Sequence, residues 1–406
     1  MDRKSFTLIE LLIVLSILAL IVGLLISIIK PAEIYKKTRD NQRIVDLNYL
    51  DSNIKSYLLL ANPNTIYTTS TLNKIFLSLK LPSSATNTDC RNYFPDLPSL
   101  PSGWTYVCSK NPTSTDGTGW IPINFQNYML YSISNLPLDP FNNSIYYYAF
   151  VASGTDFILY TMLEDPKNQA SKNDQDNYPH LYSAGTDKRL IDQAQGLVGY
   201  WPFDEGSGTI TKDYSGNGND GTLVNFNFTA TSGWTTGKVG GALSFDGMDD
   251  YVQIPLGTES LSQGYTILAW FYTRENDNYS VIAGWWGYHI GLIAAGTRGN
   301  HYITLVRPDS SLYTDAIYPS EIPMVNSWTF GAAVWSKPQM WLFQNDKKYG
   351  PKSEDPSYNL RVYSSNFRPG FSIYSGSWFS GLIDEVRIYN RALSDSEIKA
   401  LYDATK

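Results

Sequence analysis

A single carboxylate, Glu10, stands inside an otherwise apolar run from Phe6 to Ile29. An ionised acid there is costly unless a counter-charge meets it or an interface lies close, so its chemistry is pairing rather than catalysis. Cys90 and Cys108 are the two cysteines of the chain. Lying so near in sequence, they either close a loop outside a reducing cytosol or stay as two thiols within it. The three histidines, His180, His289 and His301, show no metal-ligand spacing. No G-x-S-x-G elbow is present. Asp384 and Glu385 read as strand neighbours on opposite faces, which rules them out as a glycosidase pair, whose carboxyls stand about 5 Å apart. No catalytic residue is therefore expected. Trp285, Trp286, Tyr288 and His289 offer flat faces for stacking on a sugar, as do Trp335, Trp341 and Trp378, against the alternative that such rings fill a core.

These residues need elements to hold them. A chain of 406 residues predicts two or three domains. Low charge with many aromatic and glycine residues favours strands and tight turns over helical bundles. The net charge of −7 argues against a nucleic-acid partner and fits a solvated, exported surface.

The run from Phe6 to Ile29 is long enough to cross about 30 Å of hydrocarbon as a helix. The polar leader Met1–Ser5 precedes it, and no small-residue cleavage site follows it. Ser5-Phe6-Thr7-Leu8-Ile9-Glu10-Leu11-Leu12 resembles the class III signal of type IV prepilins and type II secretion pseudopilins, with Ser5 where the family usually has Gly. The resemblance implies that a prepilin peptidase cuts between Ser5 and Phe6 and methylates the new amine of Phe6. Glu10 then becomes the fifth residue of the mature chain and pairs with the amine of a neighbouring subunit during assembly. Two buried opposite charges offset each other's desolvation only when they meet, so such a pair selects register.

Past the apolar run, Ile44, Leu47, Leu50, Ile54 and Leu58 recur at helical spacing, with Arg39, Asp40, Gln42 and Arg43 expected on other faces. Pro31 is expected to kink or locally melt the helix. Between Ala61 and Ile191, Ser144–Val151 and Phe157–Leu163 read as a hairpin. Leu136–Asn142 resembles the Asp-Pro turn of pseudopilin heads. Asp165, Asp174, Asp176 and Asp187 lack EF-hand spacing and read as solvated loop acids.

From Gly196 short strands recur evenly, predicting a sandwich or jelly roll. Gly199-Tyr200-Trp201-Pro202-Phe203-Asp204, Gly240-Gly241-Ala242-Leu243-Ser244-Phe245-Asp246-Gly247 and Gly381-Leu382-Ile383-Asp384-Glu385-Val386-Arg387-Ile388-Tyr389-Asn390-Arg391 together resemble the LamG-like, concanavalin A-like domain. Ser394 and Glu397 form a capping box for a closing helix. The resemblance implies calcium where the first and last strands meet, with Asp204, Asp213, Ser215, Asn217 and Asp384 as candidate ligands, against the alternative that these acids cap turns and bond backbone amides. Gly216–Gly221 matches G-x-G-x-x-G, yet strand-like residues follow it, so it reads as a turn.

The fold expected is an α+β pilin-like domain with a long N-terminal transmembrane and assembly helix, followed by an all-β jelly-roll sandwich. The expected parts are a leader (1–5), the helix (6–60), a pilin-like head (61–192) and the LamG-like domain (196–406). The expected function is a minor or adhesive subunit of a type IV pilus-like filament, anchored in the inner membrane before assembly and extracellular afterwards. Its partners would be other pilin subunits, the prepilin peptidase and an extracellular glycan or protein. The alternatives are a pseudopilin with a structural jelly roll and a monomeric, membrane-anchored binding protein.

Overall fold

The computed structural model describes residues 8–60, 73–127, 133–165, 168–174, 176–257, 261, 264–274, 280–285, 290–296, 301–304, 317, 325–353, 366–371 and 378–406. For 23–29, 172, 280, 290–296 and 301–304 it describes the backbone only.

The long helix is interrupted at Pro31, where a kink or local melting was expected, into α1 (Leu8–Ile29) and α2 (Pro31–Leu60). Lys30 between them takes φ 44°, a left-handed conformation that an L residue with a side chain rarely adopts. Pro31 opens α2 at its first position, where the missing amide costs nothing and the fixed φ suits the helix. At about 1.5 Å per residue, the 22 residues of α1 run about 33 Å. No helix, counted over the described residues alone, is long and apolar enough to cross a membrane; the described side chains of α1 end at Val22.

The buried stripe of α2 is Asp40, Arg43, Leu47, Leu50 and Ile54. Asp40 and Arg43 thus lie on the core-facing side, contrary to the sequence reading. Partners far along the chain compensate them. Arg43 Nε donates to Asp139 Oδ2 at 2.6 Å, and Nη1 donates to Asp40 Oδ1 at 2.8 Å and Glu164 Oε1 at 2.7 Å. Asp139 also accepts from the Phe141 and Asn142 amides, which ties the Asp-Pro turn to the helix.

The head is a sheet of β1 (Lys74–Lys80), β2 (Thr105–Ser109), β3 (Ala149–Ser153), β4 (Asp156–Met162) and β5 (Leu181–Gly185), in the order β2-β1-β3-β4-β5. The β3–β4 hairpin is the expected one with a shorter first strand. Leu47, Leu50 and Ile54 of α2 pack with Phe76, Phe150 and Leu159 on one face. A disulfide joins Cys90 to Cys108 of β2. Three of the expected loop acids organise backbone instead. Asp174 accepts from the Ser183 amide, Asp176 from Tyr178 and Asp187 from Arg189, and the last also pairs with the Arg189 guanidinium.

Two short helices follow in the head, α3 (Gln169–Asn173) and α4 (Arg189–Gln195). The expected boundary at Asp192–Gln195 falls inside α4, whose Leu190, Ile191, Asp192 and Ala194 are buried. Gly196 closes that helix at φ 73°, a value that favours glycine.

The C-terminal sandwich comprises β6 (Leu197–Trp201), β7 (Ile210–Thr211), β8 (Gly221–Val224), β9 (Gly233–Thr236), β10 (Gly241–Asp246), β11 (Tyr251–Gln253) and β12 (Tyr265–Thr273). It continues with β13 (Ser280–Trp285), β14 (Ile290–Gly296), β15 (His301–Thr304), β16 (Trp328–Ser336), β17 (Gln339–Gln344), β18 (Lys347–Ser353) and β19 (Ser380–Tyr389), and closes with α5 (Asp395–Thr405). The larger sheet has the order β18-β17-β16-β12-β19-β10-β9, with β6 also on β19. Opposite it stand β11-β8-β7 and β13-β14-β15. Residues 366–371 join these two through bonds of Phe367 to Ile254 and of Arg368 to Gly284, making one continuous second layer. The core between the layers includes Trp201, Phe245, Phe271, Trp285, Phe367 and Val386. Ser394 caps α5 with the expected box to Glu397.

The outer face of the larger sheet is not solvated. Leu268, Trp270, Phe330 and Val334 pack with Ile398 and Leu401 of α5, Leu190 and Ile191 of α4, and Ile75, Val151 and Ile158 of the head in one continuous core. The layers therefore run from α2 through the head sheet, then α4 and α5, and the larger sheet to the second layer.

Candidate functional site

Strand β19 changes partner along its length. Its first half pairs with β10, through Leu243–Ile383 and Asp246–Ser380, and its second half with β6, through Val386–Trp201 and Ile388–Gly199. Glu385 lies at the switch with φ 55°, where the register with β12 slips between Leu268 and Trp270. This bulge breaks strand alternation. Ile383 and Val386 both enter the inner core, so Asp384 and Glu385 are not on opposite faces as a regular strand would place them. The Glu385 carboxylate accepts from the Tyr200 hydroxyl at 2.7 Å and from Arg387 at 2.8 Å, and the Arg387 guanidinium lies 3.9 Å from the Tyr200 ring centroid. A cleft of about 260 Å³ opens here between the head and the sandwich, lined in part by Asp176, Asn177, Tyr200 and Arg387. Tyr200, Glu385 and Arg387 thus bond one another beside this cleft.

Asp384 Oδ2 accepts from the amides of Lys238 and Val239 at 2.8 and 2.9 Å, while its buried Oδ1 has no hydrogen bond. Burial first, then the neighbouring Glu385 and Asp204 charges, push its carboxyl up to about 8 despite those amides. Asp204 Oδ1 accepts from Gly241 N across the same junction. An orphaned carboxylate oxygen beside further acids is a setting that a hard cation relieves, so Asp384 and Asp204 fit calcium. Asp213, Ser215 and Asn217 do not complete such a set. Asp213 accepts from the amides of Tyr200, Ser215 and Asn219. The Ser215 hydroxyl and the Asn217 amide both donate to the Val198 carbonyl. Among the described residues, Asp204, Asp213 and Asp384 do not bring three carboxylates within 4.8 Å of one another.

The expected aromatic cluster is not where the sequence placed it. Trp285 is 1% exposed, its ring 4.8 Å from that of Phe367 and its Nε1 bonded to the Leu256 carbonyl. It is a core residue, because β13 turns it toward the sandwich interior. Trp286, Tyr288 and His289 lie outside the described residues. Trp335 is likewise buried and stacks on Tyr265.

Trp378 is different. Its ring stacks on Tyr251 at 6.0 Å and meets Phe371 edge-on at 4.9 Å, and Phe371 meets Tyr251 at 5.3 Å. The Arg368 guanidinium lies 5.4 and 5.1 Å from the Tyr251 and Phe371 centroids. Strand alternation explains the placement: Val252, Ile254 and Phe367 point into the core, which leaves Tyr251, Gln253 and Arg368 on the outer face of the second layer. These half-buried rings form a platform with a cationic rim, suited to stacking on a planar or pyranose face. The sequence reading named Trp378 alone. Tyr251 joins it from β11, and Phe371 and Arg368 from residues 366–371, which bridge the two small sheets.

At the other end of the chain, the side chains of α1 stand bare, Leu8 at 83% and Leu12 at 61% exposure, with Glu10 among them. Ser5 and Phe6 lie outside the described residues.

Residues 246–399 match the family model of the concanavalin A-like lectin/glucanases superfamily. Comparison with curated proteins finds no match. Among solved structures, domain 4 of AbnA, a GH43 extracellular arabinanase from Geobacillus stearothermophilus in complex with arabinotriose, is 22% identical, with 51% of this chain and 98% of that one covered and a TM-score of 0.43. The binding domain of Paraclostridial Mosquitocidal Protein 1 is 15% identical over 51% of this chain and 52% of that one, with a TM-score of 0.38. The binding domain of Botulinum neurotoxin DC, in complex with rat synaptotagmin II, is 13% identical over 52% of each chain, with a TM-score of 0.40. The chain spans nearly all of the first and about half the length of the other two. Residues 1–26 match the family model of the prokaryotic N-terminal methylation motif, so this chain joins a type IV pilin signal to a concanavalin A-like domain of the LamG type.

Proposed function

We propose that the chain is an adhesive subunit of a type IV pilus-like filament that carries a glycan-binding module at the cell surface. The observation that carries this reading is the order of the layers. The bare apolar helix α1 lies at one end of the chain, and the Tyr251–Phe371–Trp378 platform sits on the layer separated from α2 by the head sheet and the larger sheet. Exposed apolar residues on α1 call for a bilayer before assembly and for neighbouring helices afterwards. In this reading the prepilin peptidase cuts between Ser5 and Phe6, and Glu10 meets the methylated amine of the next pilin subunit. The domain binds rather than catalyses, and a calcium ion held by Asp204 and Asp384 braces the junction of β6, β10 and β19.

Two measurements test this. Replacing Glu10 by Leu should remove the subunit from sheared filaments while leaving its amount in the membrane unchanged; incorporation at the wild-type level would refute assembly through this charge. The detergent-solubilised full-length protein should retain a restricted set of sugars on a glycan array. Silence across a broad array would favour a structural jelly roll in a pseudopilin.

A further inference from the structure

The turn between β10 and β11 reads Asp246-Gly247-Met248-Asp249-Asp250. One carboxylate oxygen from each of Asp246, Asp249 and Asp250 lies within 4.8 Å of the other two. The turn holds them there. Asp250 Oδ2 accepts from Asp246 N at 3.0 Å, Asp246 Oδ1 accepts from Met248 N at 2.8 Å, and the Asn225 side chain donates to the Asp249 carbonyl at 3.1 Å.

Internal bonding does not account for all of this cluster. Asp250 is 1% exposed, and its Oδ1 is buried with no hydrogen bond. The Ser232 hydroxyl accepts from Asn227 N and hydrogen-bonds the Asp250 side chain, yet Oδ1 is left without a donor. Arg274 interacts with Asp246 at a distance, but its guanidinium donates to the Phe245 carbonyl and the Ser244 hydroxyl. None of the three acids makes an ion pair with a described residue. A buried carboxylate oxygen without a donor is costly, and two further acids beside it raise that cost.

We propose that Asp246, Asp249 and Asp250 form a calcium site. Oxygens bound at about 2.4 Å from calcium stand at most about 5 Å apart, which matches the observed spread. An all-oxygen, all-anionic set excludes soft metals. A short, partly exposed turn suits the adaptable shell of calcium better than the strict octahedron of magnesium. Asp249 is exposed, which leaves the outer side of the ion to water or to a ligand hydroxyl. Asp250 directly precedes Tyr251 at the start of β11, so the ion would fix the turn that leads into the platform. The site is independent of filament assembly and is distinct from the Asp204–Asp384 pair.

The test is a calorimetric titration of calcium chloride into detergent-solubilised full-length protein after treatment with a chelator. Wild type should show saturable uptake below about 1 mM, with a rise in melting temperature. Asp249→Asn, at an exposed position, should weaken that uptake by about tenfold or more, and Asp246→Asn should do the same, while Asp384→Asn leaves it in place. Two sites in wild type, one of them lost in Asp249→Asn, also support the assignment. No uptake up to about 5 mM would overturn it. So would unchanged uptake in both turn variants, or uptake lost in Asp384→Asn alone.

Discussion

Arg391 donates to Glu397 Oε1 at 2.6 Å and to the Gln195 carbonyl at 2.6 Å, so one buried guanidinium joins the end of the last strand, the closing helix and the last turn of α4. A second bond, from the same guanidinium to Gln195 Oε1 at 2.7 Å, locks the α4 side. The neighbouring Ser99 hydroxyl bonds the Ala392 carbonyl across the same joint. The sandwich is thus carried on the head as a continuation of it.

Removing one partner of this pair strands a buried charge. Arg391→Ala or Glu397→Ala should each destabilise the protein by about 3–5 kcal/mol, whereas a double change to apolar residues of similar volume should cost much less. Denaturant unfolding followed by tryptophan fluorescence reads this. Burial alone would push Glu397 up, but the Arg391 charge and the Ser394 hydrogen bonds hold it below the ordinary glutamate value. The stability that Glu397 contributes is therefore present above the unfolded pKa and lost as pH falls through the lower folded one. Glu397→Ala should lose that acid limb, whereas Arg391→Ala, which leaves Glu397 buried without its counter-charge, should gain stability as pH falls.

Asp192 has the opposite sign. Burial, the first cause, pushes its carboxyl up to about 7, although the Asn177 amide and Arg387 oppose this. Between the unfolded value of 3.8 and about 7 the folded state holds the extra proton, so stability falls as pH rises across that window and levels off above it. Asp192→Asn keeps an acceptor for Asn177 and should remove about 1–3 kcal/mol of that pH dependence. Melting temperatures at pH 5 and pH 8 give the comparison, and a variant that melts like wild type at both would exclude Asp192 as the source.

What the sequence made legible is what local periodicity and short motifs encode. The α2 stripe at Leu47, Leu50 and Ile54, the Ser394–Glu397 capping box and the strands β12, β16 and β19 all follow from residues within one element. The two-residue strand β7 and the four-residue strands β8 and β9 are too short to show a period. Long-range compensation was equally hidden. Arg43 reads as a solvent-facing charge until Asp139, 96 residues away, meets it in the core. The bulge at Glu385 depends on which strand lies beside β19, information no window around Asp384 contains. The same limit applied to the tryptophans, whose facing is set by the strand they occupy and not by their spacing.

The bridge between Cys90 and Cys108 closes a loop of 18 residues on the head. By loop-closure entropy, reduction or Cys90→Ser should cost about 2–4 kcal/mol. Both sulfurs are buried in the core that the head shares with the sandwich, so the loss should lower a single unfolding transition for both parts. Calorimetry with and without reductant reads this. Two separated transitions, with only the first moved, would show that the joint does not couple them.

Trp285 and Trp378 separate packing from recognition. Trp285→Ala removes a fully buried ring from the sandwich core and should destabilise by about 3–5 kcal/mol. Trp378→Ala removes a half-buried ring from the outer face of the second layer and should leave the melting temperature within a few degrees of wild type. If the platform stacks on a sugar, Trp378→Ala and Tyr251→Ala should each weaken retention on the best glycan of the array by about tenfold or more. Trp285→Ala, measured at a temperature where it remains folded, should retain that glycan. Wild-type retention by both platform variants would place the binding surface elsewhere on the sandwich, because the two rings stack on each other and cannot both be bystanders to a ligand lying across them.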